Sequence, residues 1–508
     1  MKNAVITYYQ KHPLRFILIA ALLIRMVAVV YSKGYGMHDD HFLTVEPAQA
    51  WAEGKTEYNS WLDPSRAEQT AENPSGHSLF YPGSLYVFFK ICQKLGMEDP
   101  QVKMYFMRLI HALFSLLIVY FSYLIAQKLK NEKTAKTIGW LMALFWLFPV
   151  ASVHNFVEIV CIPPMLAASW YLLLYDEDKK IKNIVLSALW ISVALAIRFQ
   201  VWFFFAGIGG YFLMRARWIH GILYLFATLF FYFITQLPDW YIFGEPFVMN
   251  QNYFEYNMKH AEDFTNHPFY QYFLIVSALT IPPFSLLLWA GFFTQWKKSL
   301  PVLAPALFFF LIHSYFPNKQ ERFILPFIPY LILLGVIGWI HIIETKKAWF
   351  TNAKLLKPVY VFFVIINIFG LILLTPSYSK RSRVESMYYL SQFDDVNALI
   401  IENSHDDYSI QPPMFYLGDW VYYEQVPKGY PLENLYVKLG KEYKTFPHYI
   451  LFVEDKKLQE RVEQYQKIMH QELEFLTEIE SGFLDKLMYR LNPKNRNFTI
   501  YIYRIKPF

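Results

Sequence analysis

The chain has 508 residues, of which 55% are hydrophobic and 19% aromatic, and its mean hydropathy is +0.21. This composition excludes an ordinary soluble multidomain protein and predicts a polytopic α-helical membrane protein. The formal net charge of +6 comes mostly from the loops between apolar segments, so it gives no indication of nucleic-acid binding. Two cysteines, Cys92 and Cys161, provide neither a disulfide framework nor a metal-ligand spacing.

Apolar runs long enough to cross the roughly 30 Å hydrocarbon core recur as far as residue 375. The first run is interpreted as a span rather than a cleaved signal peptide, because no small-residue cleavage site follows it. The stretch 183–214 is long enough for two short spans, which brings the total to about eleven. The predicted spans are 14–32, 104–127, 137–153, 157–175, two within 183–214, 218–237, 269–293, 300–316, 323–343 and 357–375.

Lysine and arginine collect in alternate short loops, which predicts that those loops are cytoplasmic. The opposite loops hold acidic and aromatic residues, and they include 33–103, 238–268, 317–322 and everything after 376. An odd number of spans places every lysine- and arginine-rich loop on the cytoplasmic side and every acidic and aromatic loop on the opposite side. We therefore expect an integral membrane protein with its site and its C-terminal region on the external side; the expected location is a bacterial inner membrane, with these parts periplasmic, as the family resemblance given below implies.

The long external loop 33–103 contains Gly36-Met37-His38-Asp39-Asp40-His41-Phe42 directly after the first span. Two adjacent carboxylates between two histidines predict an acid/base site, because neighbouring negative charges raise the pKa of one carboxyl toward a value useful for proton transfer. The alternative is a solvated pair that caps a helix. Later in the loop, residues near 79–95 are apolar but interrupted by Pro82 and Gly83, which favours a re-entrant or interfacial helix over a span.

Two more candidates lie where predicted spans meet outside. Glu158 sits beside apolar sequence, where a carboxylate is costly unless it has a function, although an interfacial, solvated carboxylate is the alternative. Arg198 and Gln200 interrupt the stretch 183–214, and an arginine there is suited to an anionic phosphate because its fork donates two hydrogen bonds. The alternative for Arg198 is snorkelling to lipid head groups.

The remaining external turns are also rich in polar groups. An acidic-aromatic turn holds Asp239 and Tyr241 and continues to His267. A tight turn, Asn318 to Phe323, carries Lys319, Glu321 and Arg322, which predicts a second half-site facing the Asp39/Asp40 loop. A solvated charged turn is the simpler alternative.

After residue 376 the composition changes to charged, alternating sequence. Buried strands are predicted at 398–401, 449–453 and 499–503, and helices at 381–392 and 456–471. The chain therefore divides into a transmembrane catalytic module, 1–375, and an external α/β domain, 376–508, of about 130 residues.

Several of these motifs together resemble family 22 of the GT-C fold, the mannosyltransferases that use lipid-linked sugars. His38-Asp39-Asp40-His41-Phe42 is similar to that family's first-loop signature His-Pro-Asp-Glu-aromatic/His-Phe, with Asp40 in place of glutamate and no proline. Asn318-Lys319-Gln320-Glu321-Arg322-Phe323 resembles its His-Lys-Glu-x-Arg-Phe element. Weaker similarities involve Asp239–Gly244, Asn155 with Glu158, and 483–487 with 491–494.

The resemblance implies a bacterial-type membrane glycosyltransferase that moves a sugar, expected to be mannose, from a polyprenyl-phosphate donor to a hydroxyl of a lipid-linked or envelope glycan. In this mechanism Asp39 is the general base and Asp40 its partner, and a single base predicts inversion at the anomeric carbon. Arg198, Lys319 and Arg322 would bind the donor phosphate. The remaining side chains expected to bind substrate are His38, His41, Glu158, Gln200, Asp239, Tyr241, His267 and Glu321.

No cofactor is expected. The sequence has no Gly-rich nucleotide loop, and the polyprenyl-phosphate sugar is itself a substrate. Asp39, Asp40, His38 and His41 could bind a divalent ion, but the resemblance implies a metal-independent enzyme. Other expected partners are membrane lipids, and none is nucleic acid.

Two rival functions remain open. One is an oligosaccharide ligase or polymerase that uses glycans linked to lipid pyrophosphate. The other is a lipid-glycan transporter or flippase. A transporter is predicted to carry charges near the middle of its spans, whereas the polar groups here lie at the outer ends.

Overall fold

Apolar helices dominate the first of two compact units in the structure, which is a computed structural model. The structure describes residues 2–55, 78–261, 263, 266–345, 352–406, 410–432, 435 and 446–506, so residues 56–77 of the predicted loop 33–103 lie outside the described residues. The first unit, here the helical unit, comprises Met1–Val30, Pro74–Tyr81 and Arg108–Pro376. The second, here the mixed unit, comprises Tyr31–Asn73, Pro82–Met107 and Ser377–Phe508.

The described helices are numbered in chain order. The first twelve are α1 (Lys2–Lys11), α2 (Pro13–Tyr31), α3 (His38–Asp40), α4 (Glu46–Ala52), α5 (Phe80–Lys94), α6 (Pro100–Leu129), α7 (Glu132–Leu144), α8 (Leu147–Ala151), α9 (Val157–Val160), α10 (Ile162–Asp178), α11 (Ile181–Ile197) and α12 (Trp202–Met214). The others are α13 (Trp218–Thr235), α14 (Leu237–Phe243), α15 (Val248–Lys259), α16 (Gln271–Leu279), α17 (Phe284–Phe292), α18 (Trp296–Tyr315), α19 (Ile328–Thr345), α20 (Ala353–Leu374), α21 (Arg381–Leu390), α22 (Met414–Leu417), α23 (Leu458–Met469) and α24 (Phe483–Leu491). A π-helical turn, His41–Val45, joins α3 to α4, and 3₁₀ segments at Phe199–Val201 and Glu321–Phe327 precede α12 and α19.

Seven described helical segments are long and apolar enough to cross a membrane. Helices can cross the hydrocarbon core because most of their backbone groups bond within the segment. They are Pro13–Tyr31, Pro100–Leu129, Val157–Asp178, Trp218–Thr235, Trp296–Tyr315, Glu321–Thr345 and Ala353–Leu374. Two shorter apolar helices, Ile181–Ile197 and Phe199–Met214, correspond to the two predicted short spans. The prediction of a polytopic helical membrane protein is confirmed.

Two of the predicted spans contain a break of two or more residues between their helical parts. The predicted span 137–153 is divided between α7 and α8, with a break at Phe145 and Trp146. The predicted span 269–293 is divided between α16 and α17, and Pro282-Pro283 lies in its break, where proline cannot donate the hydrogen bond that a helix needs. Hydropathy alone did not show either break.

Side chains from distant spans satisfy the backbone groups that the two breaks leave unpaired. Asn367 of α20 donates from Nδ2 to the Leu144 carbonyl (2.8 Å) and accepts at Oδ1 from the Trp146 N–H (2.9 Å). The Trp146 indole N–H donates to the carbonyl of Leu279, the last residue of α16 (3.1 Å). Helix ends need such partners because their terminal groups have none within the helix. The two breaks are therefore tied to each other and to α20.

Arg25 of α2 supports the first break from another side. Its side chain is fully buried, and its Nε donates to Ser115 Oγ (2.8 Å). Its Nη1 donates to the Ala143 carbonyl (3.2 Å), and its Nη2 lies 3.5 Å from the Met142 carbonyl. Both carbonyls belong to the last turn of α7, where the partial negative charge of the helix end favours a cation.

We expect Asn367→Leu to lower the free energy of unfolding by roughly 2–4 kcal/mol, because two buried backbone groups would lose their partners. The measurement is the unfolding midpoint of purified protein titrated with denaturing detergent. Ile368→Leu, at a neighbouring position that is 48% exposed, is the matched control. Equal midpoints for the two variants would contradict the role of Asn367.

A five-stranded sheet organises the mixed unit, in the strand order β2-β1-β3-β5-β4. β1 pairs in parallel with β2 and β3, whereas β5 pairs antiparallel with β3 and β4. All three strands predicted after residue 376 are present, as are the two predicted helices, α21 and α23. β2 and β4 were not predicted. The strands are β1 (Ala398–Asn403), β2 (Tyr422–Pro427), β3 (Tyr449–Val453), β4 (Leu473–Ile479) and β5 (Ile500–Ile505).

The core of this sheet is apolar and includes Ile400, Ile450 and Phe452, with Val462 and Tyr465 from α23 packed against them. A small α/β domain after the last span was predicted, and the sheet confirms that part of the fold class; its external location stays a prediction. The predicted helix near 79–95 is also present as α5, with Val87 and Ile91 of the helix and Leu95 directly after it exposed at intervals of four residues.

Within the mixed unit, the start of the first loop is clasped to the segment that follows the last span. The Ser379 N–H donates to the Lys33 carbonyl (3.1 Å), and Ser32 Oγ donates to the Ser377 carbonyl (3.1 Å). Gly34 has φ +79°, and a Cβ there would lie 1.9 Å from the Ser379 carbonyl oxygen, so only glycine fits. We call these contacts the clasp. It holds the chain just before His38.

Candidate functional site

The two first-loop carboxylates have different surroundings. α3 consists of His38, Asp39 and Asp40 alone and runs directly into the π-helical turn. The Asp40 side chain is buried, whereas Asp39 is half-buried and the His38 ring is exposed and packs on Phe42 with ring centroids 4.4 Å apart. Asp39 is therefore the carboxylate of the pair that a substrate hydroxyl can reach more easily.

A half-buried lysine that directly follows the clasp, Lys380, lies against this loop. Lys380 Nζ donates to the Tyr35 carbonyl (3.2 Å) and to the Gly36 carbonyl, and it lies 4.6 Å from the centre of the Tyr35 ring. Burial, followed by the charge of Arg383, lowers the pKa of Lys380 to about 7, although the negative charge of Asp40 opposes this shift. Lys380 thus fixes the backbone immediately before α3.

The backbone around Lys380 is itself anchored. Asp485 of α24 accepts from the N–H groups of Lys380 (3.2 Å) and Arg381 (3.3 Å). Burial raises the pKa of Asp485, and these backbone hydrogen bonds oppose the shift. The contacts form a continuous path from α24 through Lys380 to the carbonyl of Gly36, two residues before His38.

The His41 side chain is packed between other side chains and is not open to substrate. Its ring stacks between Tyr35 (centroids 4.5 Å apart) and Tyr416 (5.6 Å), and only 1% of the residue is exposed. His41 Nε2 lies 3.2 Å from Glu46 Oε1, which also accepts from the Phe415 N–H (3.0 Å). Burial lowers the pKa of His41 to about 3 and raises that of Glu46 to about 8. The prediction that His41 binds substrate does not fit this position, because both ring faces are covered.

We expect Glu46→Gln to preserve the fold, because the glutamate is already neutral at pH 7 and the amide oxygen can accept the same hydrogen bonds. Glu46→Ala should lower the free energy of unfolding by about 1–3 kcal/mol, since the Phe415 N–H and His41 would lose their acceptor. In the wild type, Glu46 binds a proton in the folded state but not in the unfolded state from about pH 4.5 to 8, so its contribution to stability falls as pH rises.

The measurement is the unfolding temperature of the three proteins across this pH range. As pH rises, the unfolding temperature of the wild type should fall relative to that of Glu46→Gln. A difference that does not change with pH would contradict a neutral Glu46.

In the helical unit, Glu158 joins two of the predicted arginines. Its side chain is fully buried, with Oε1 2.8 Å from Arg198 Nη1 and 3.6 Å from Arg322 Nε. Both guanidinium groups also lie near the Phe323 ring, at 5.2 Å for Arg198 and 5.5 Å for Arg322. The structure thus brings together three predicted residues that are far apart in sequence. We call Arg198 and Arg322 the arginine pair and Glu158 its carboxylate.

Gln200 orients Arg198. Its Oε1 accepts from Arg198 Nη2 (2.6 Å) and lies 3.2 Å from His313 Nε2. His313, a residue without a predicted role, has its Nδ1 2.8 Å from the Phe309 carbonyl. Beside Gln200 is a pocket with an aromatic wall formed by Phe203, Tyr253, Phe254, Phe316 and Phe323. Because the side-chain oxygen of Gln200 already accepts a hydrogen bond from Arg198, Gln200 positions this arginine.

Lys319 has a structural environment in the turn before α19. Its Nζ donates to the carbonyls of Phe316 (2.5 Å) and His267 (3.0 Å), and burial lowers its pKa. His267 therefore contributes its backbone, rather than its ring, to this contact. Two of the three ammonium hydrogens are occupied, so the arginine pair is better placed than Lys319 to bind an anion.

The other predicted residues differ in accessibility. Asp239 is buried at the start of α14, and burial raises its pKa to about 6. Tyr241 of the same helix is 92% exposed, beside a half-exposed Trp240, which is typical of an aromatic belt at a membrane interface. Glu321 is exposed.

The possible divalent-ion site at the first loop lacks a gathered set of ligands. Within the described ranges, no three His, Cys, Asp or Glu side chains come close enough to hold a metal ion. His41, one of the four residues considered, is directed at Glu46 instead. Metal independence stays a prediction.

The folds of several solved structures are similar to that of this chain. ArnT from Cupriavidus metallidurans in the apo state matches with a TM-score of 0.61 and 13% identity over 96% of this chain and 97% of that one. Its complex with undecaprenyl phosphate matches with a TM-score of 0.59, 13% identity and the same coverage. The archaeal oligosaccharyltransferase AglB from Archaeoglobus fulgidus, with an inhibitory peptide and a dolichol-phosphate, matches with a TM-score of 0.50 and 11% identity over 91% and 71%. At these identities the likeness shows the fold.

The apolar spans, the sheet unit and these neighbours define a membrane protein of the GT-C fold. The sequence profile of the Alg9-like mannosyltransferase family matches residues 16–415, and the chain belongs to that family. No curated protein matches the sequence. The predicted fold, family and enzyme class are thereby confirmed.

Proposed function

We propose that this protein transfers a mannosyl group from a polyprenyl-phosphate donor to a hydroxyl of a lipid-linked or envelope glycan, on the non-cytoplasmic side of the membrane and with inversion. Membership of the Alg9-like mannosyltransferase family supports the sugar and the reaction class. The distribution of lysine and arginine among the loops supports the sidedness. The observation that carries the proposal is the arginine pair around Glu158.

Two guanidinium groups and one carboxylate leave one net positive charge, which matches the single negative charge of a phosphodiester. Arginine is suited to this role because its planar fork donates paired hydrogen bonds to phosphate oxygens. Glu158 holds both guanidinium groups in place before the donor arrives, so little reorganisation is needed. Lipid phosphates are bound by two of the similar proteins, undecaprenyl phosphate by ArnT and dolichol-phosphate by AglB, which supports a lipid phosphate here.

In the proposed reaction, the Asp39 carboxylate accepts the proton of the acceptor hydroxyl as its oxygen attacks the anomeric carbon. The bond between that carbon and the phosphate oxygen breaks, and its electron pair leaves with the polyprenyl phosphate. Arg198 and Arg322 stabilise the charge that develops on this leaving group. A single displacement inverts the anomeric configuration, so a β-linked donor would yield an α-linked product.

The test uses purified protein in liposomes with radiolabelled polyprenyl-phosphate mannose, the matching glucose donor, and a panel of lipid-linked acceptors. We expect transfer of mannose in preference to glucose, and a product that α-mannosidase cleaves and β-mannosidase does not. GDP-mannose without a lipid carrier is the control and should give no product. Transfer only from oligosaccharides on lipid pyrophosphate would overturn the proposal in favour of a ligase or polymerase.

A further inference from the structure

Helix α24 of the mixed unit turns its apolar side chains outward. Phe483 and Leu491 are each 72% exposed, and Met488 is 40% exposed. At 100° per residue, Phe483, Leu487 and Leu491 lie on one face of the helix, with Leu484 and Met488 beside them. A surface helix of a soluble domain usually buries such a face, so this orientation is reversed.

The reversed orientation is held by a polar anchor. Asp485, on the opposite side of α24, is buried and accepts from the backbone N–H groups of Lys380 and Arg381. These contacts attach the helix to the rest of the mixed unit through its only acidic residue. The apolar face is thus left free of the sheet core.

Basic residues border the exposed apolar face. Lys486 and Arg490 lie on one flank of α24, and Lys494 follows the helix, all three with exposed side chains. Lys486 is paired with Glu480 (2.6 Å), so Arg490 and Lys494 carry most of the excess positive charge. An apolar face bordered by lysine and arginine is typical of helices that lie in a membrane interface, with rings and alkyl chains below the phosphates and cations beside them.

We infer that α24 is an interfacial helix whose Phe483, Leu487, Met488 and Leu491 face rests on a bilayer surface containing anionic lipid. The chain has seven described segments that can span a membrane, so a bilayer accompanies the mixed unit in any native setting. A second copy of the chain is the less suitable occupant. Nine residues form a helix about 14 Å long and about 10 Å wide, and the face is far smaller than the roughly 800 Å² per partner of a stable protein interface.

The experiment uses the full chain with a single added cysteine, Leu491→Cys, labelled with an environment-sensitive fluorophore. The native Cys92 and Cys161 are buried, which restricts labelling to the new thiol. The matched control is Lys467→Cys on α23 of the same unit, where the side chain is exposed in a polar face. Both proteins are reconstituted into vesicles of phosphatidylcholine, alone or mixed equally with phosphatidylglycerol.

At position 491 we expect a blue-shifted emission and quenching by lipids that carry a nitroxide near the head group, with more quenching in the anionic vesicles. Position 467 should show neither effect. In the Leu491→Cys background, Arg490→Glu with Lys494→Glu should remove the extra quenching in anionic vesicles. Equal quenching of both positions by aqueous iodide would overturn the inference. So would disulfide cross-linking between two 491 positions in place of lipid quenching, since it would assign the face to a second copy.

Discussion

Asp39→Asn is expected to lower the turnover number for mannosyl transfer by roughly 10²–10⁴-fold, the usual contribution of a general base. The amide has the shape of the carboxylate but cannot accept the acceptor's proton. Asp39 is half-buried, whereas Asp40 is buried and lies within the electrostatic influence of Lys380. The donor KM should stay unchanged, because the carboxylate acts on the acceptor.

Rates are measured in liposomes at saturating donor and acceptor, together with the unfolding temperature. Asp455→Asn, the same change at an exposed position of the mixed unit, is the matched control and should retain full activity. If folded Asp39→Asn transfers mannose at the wild-type rate, Asp39 is not the base.

Arg198→Met is expected to raise the donor KM by about 10- to 150-fold, the equivalent of a charged hydrogen bond worth about 1.5–3 kcal/mol. The Arg198 guanidinium makes the 2.8 Å contact with Glu158, and Gln200 fixes its orientation. The acceptor KM should change little. The measurement is a donor saturation curve at fixed acceptor, and an unchanged curve would remove Arg198 from the phosphate site.

Glu158→Gln in the same cluster should mainly affect stability, by about 3–5 kcal/mol, because it leaves two neighbouring guanidinium groups without their buried carboxylate. Combining it with Arg198→Met should recover part of that loss, since a charge is then removed together with its partner. This double-mutant cycle separates the structural role of Glu158 from the donor contact. Strict additivity of the two changes in unfolding free energy would mean that the ion pair contributes nothing.

Hydropathy identified the spans well because the length of an apolar run is a local property. The breaks in two of them were missed because the groups that stabilise each break lie elsewhere in the chain. Asn367 pairs with the backbone at Leu144 and Trp146 from more than two hundred residues away. In the mixed unit, the fully buried strands β1 and β3 were predicted, whereas β4 was missed because its Glu474 and Glu478 are exposed and interrupt the apolar pattern.

For the candidate site, the residue types were predictable and their grouping was not. Glu158 and Arg198 lie in apolar sequence and Arg322 in a charged turn, yet only the fold shows that one carboxylate serves both arginines. No feature of the sequence indicated a role for Lys380, because it lies in a run of basic residues just after the last span. Its contact with the carbonyl of Gly36 depends on a clasp between segments about 345 positions apart.

The buried Arg25 also bears on how this protein is made. An arginine near the centre of a span adds about 2.5–3.5 kcal/mol to the cost of insertion by the translocon. Its partners at Ser115, Met142 and Ala143 are synthesised about 90 to 118 residues later. During synthesis, the first span therefore enters the bilayer before these partners exist, when only the Ala21 carbonyl of its own helix can accept from Arg25. Once the later spans are inserted, Ser115, Met142 and Ala143 can accept hydrogen bonds from Arg25. This fold therefore requires that the first span be inserted before most of the partners of its arginine are made.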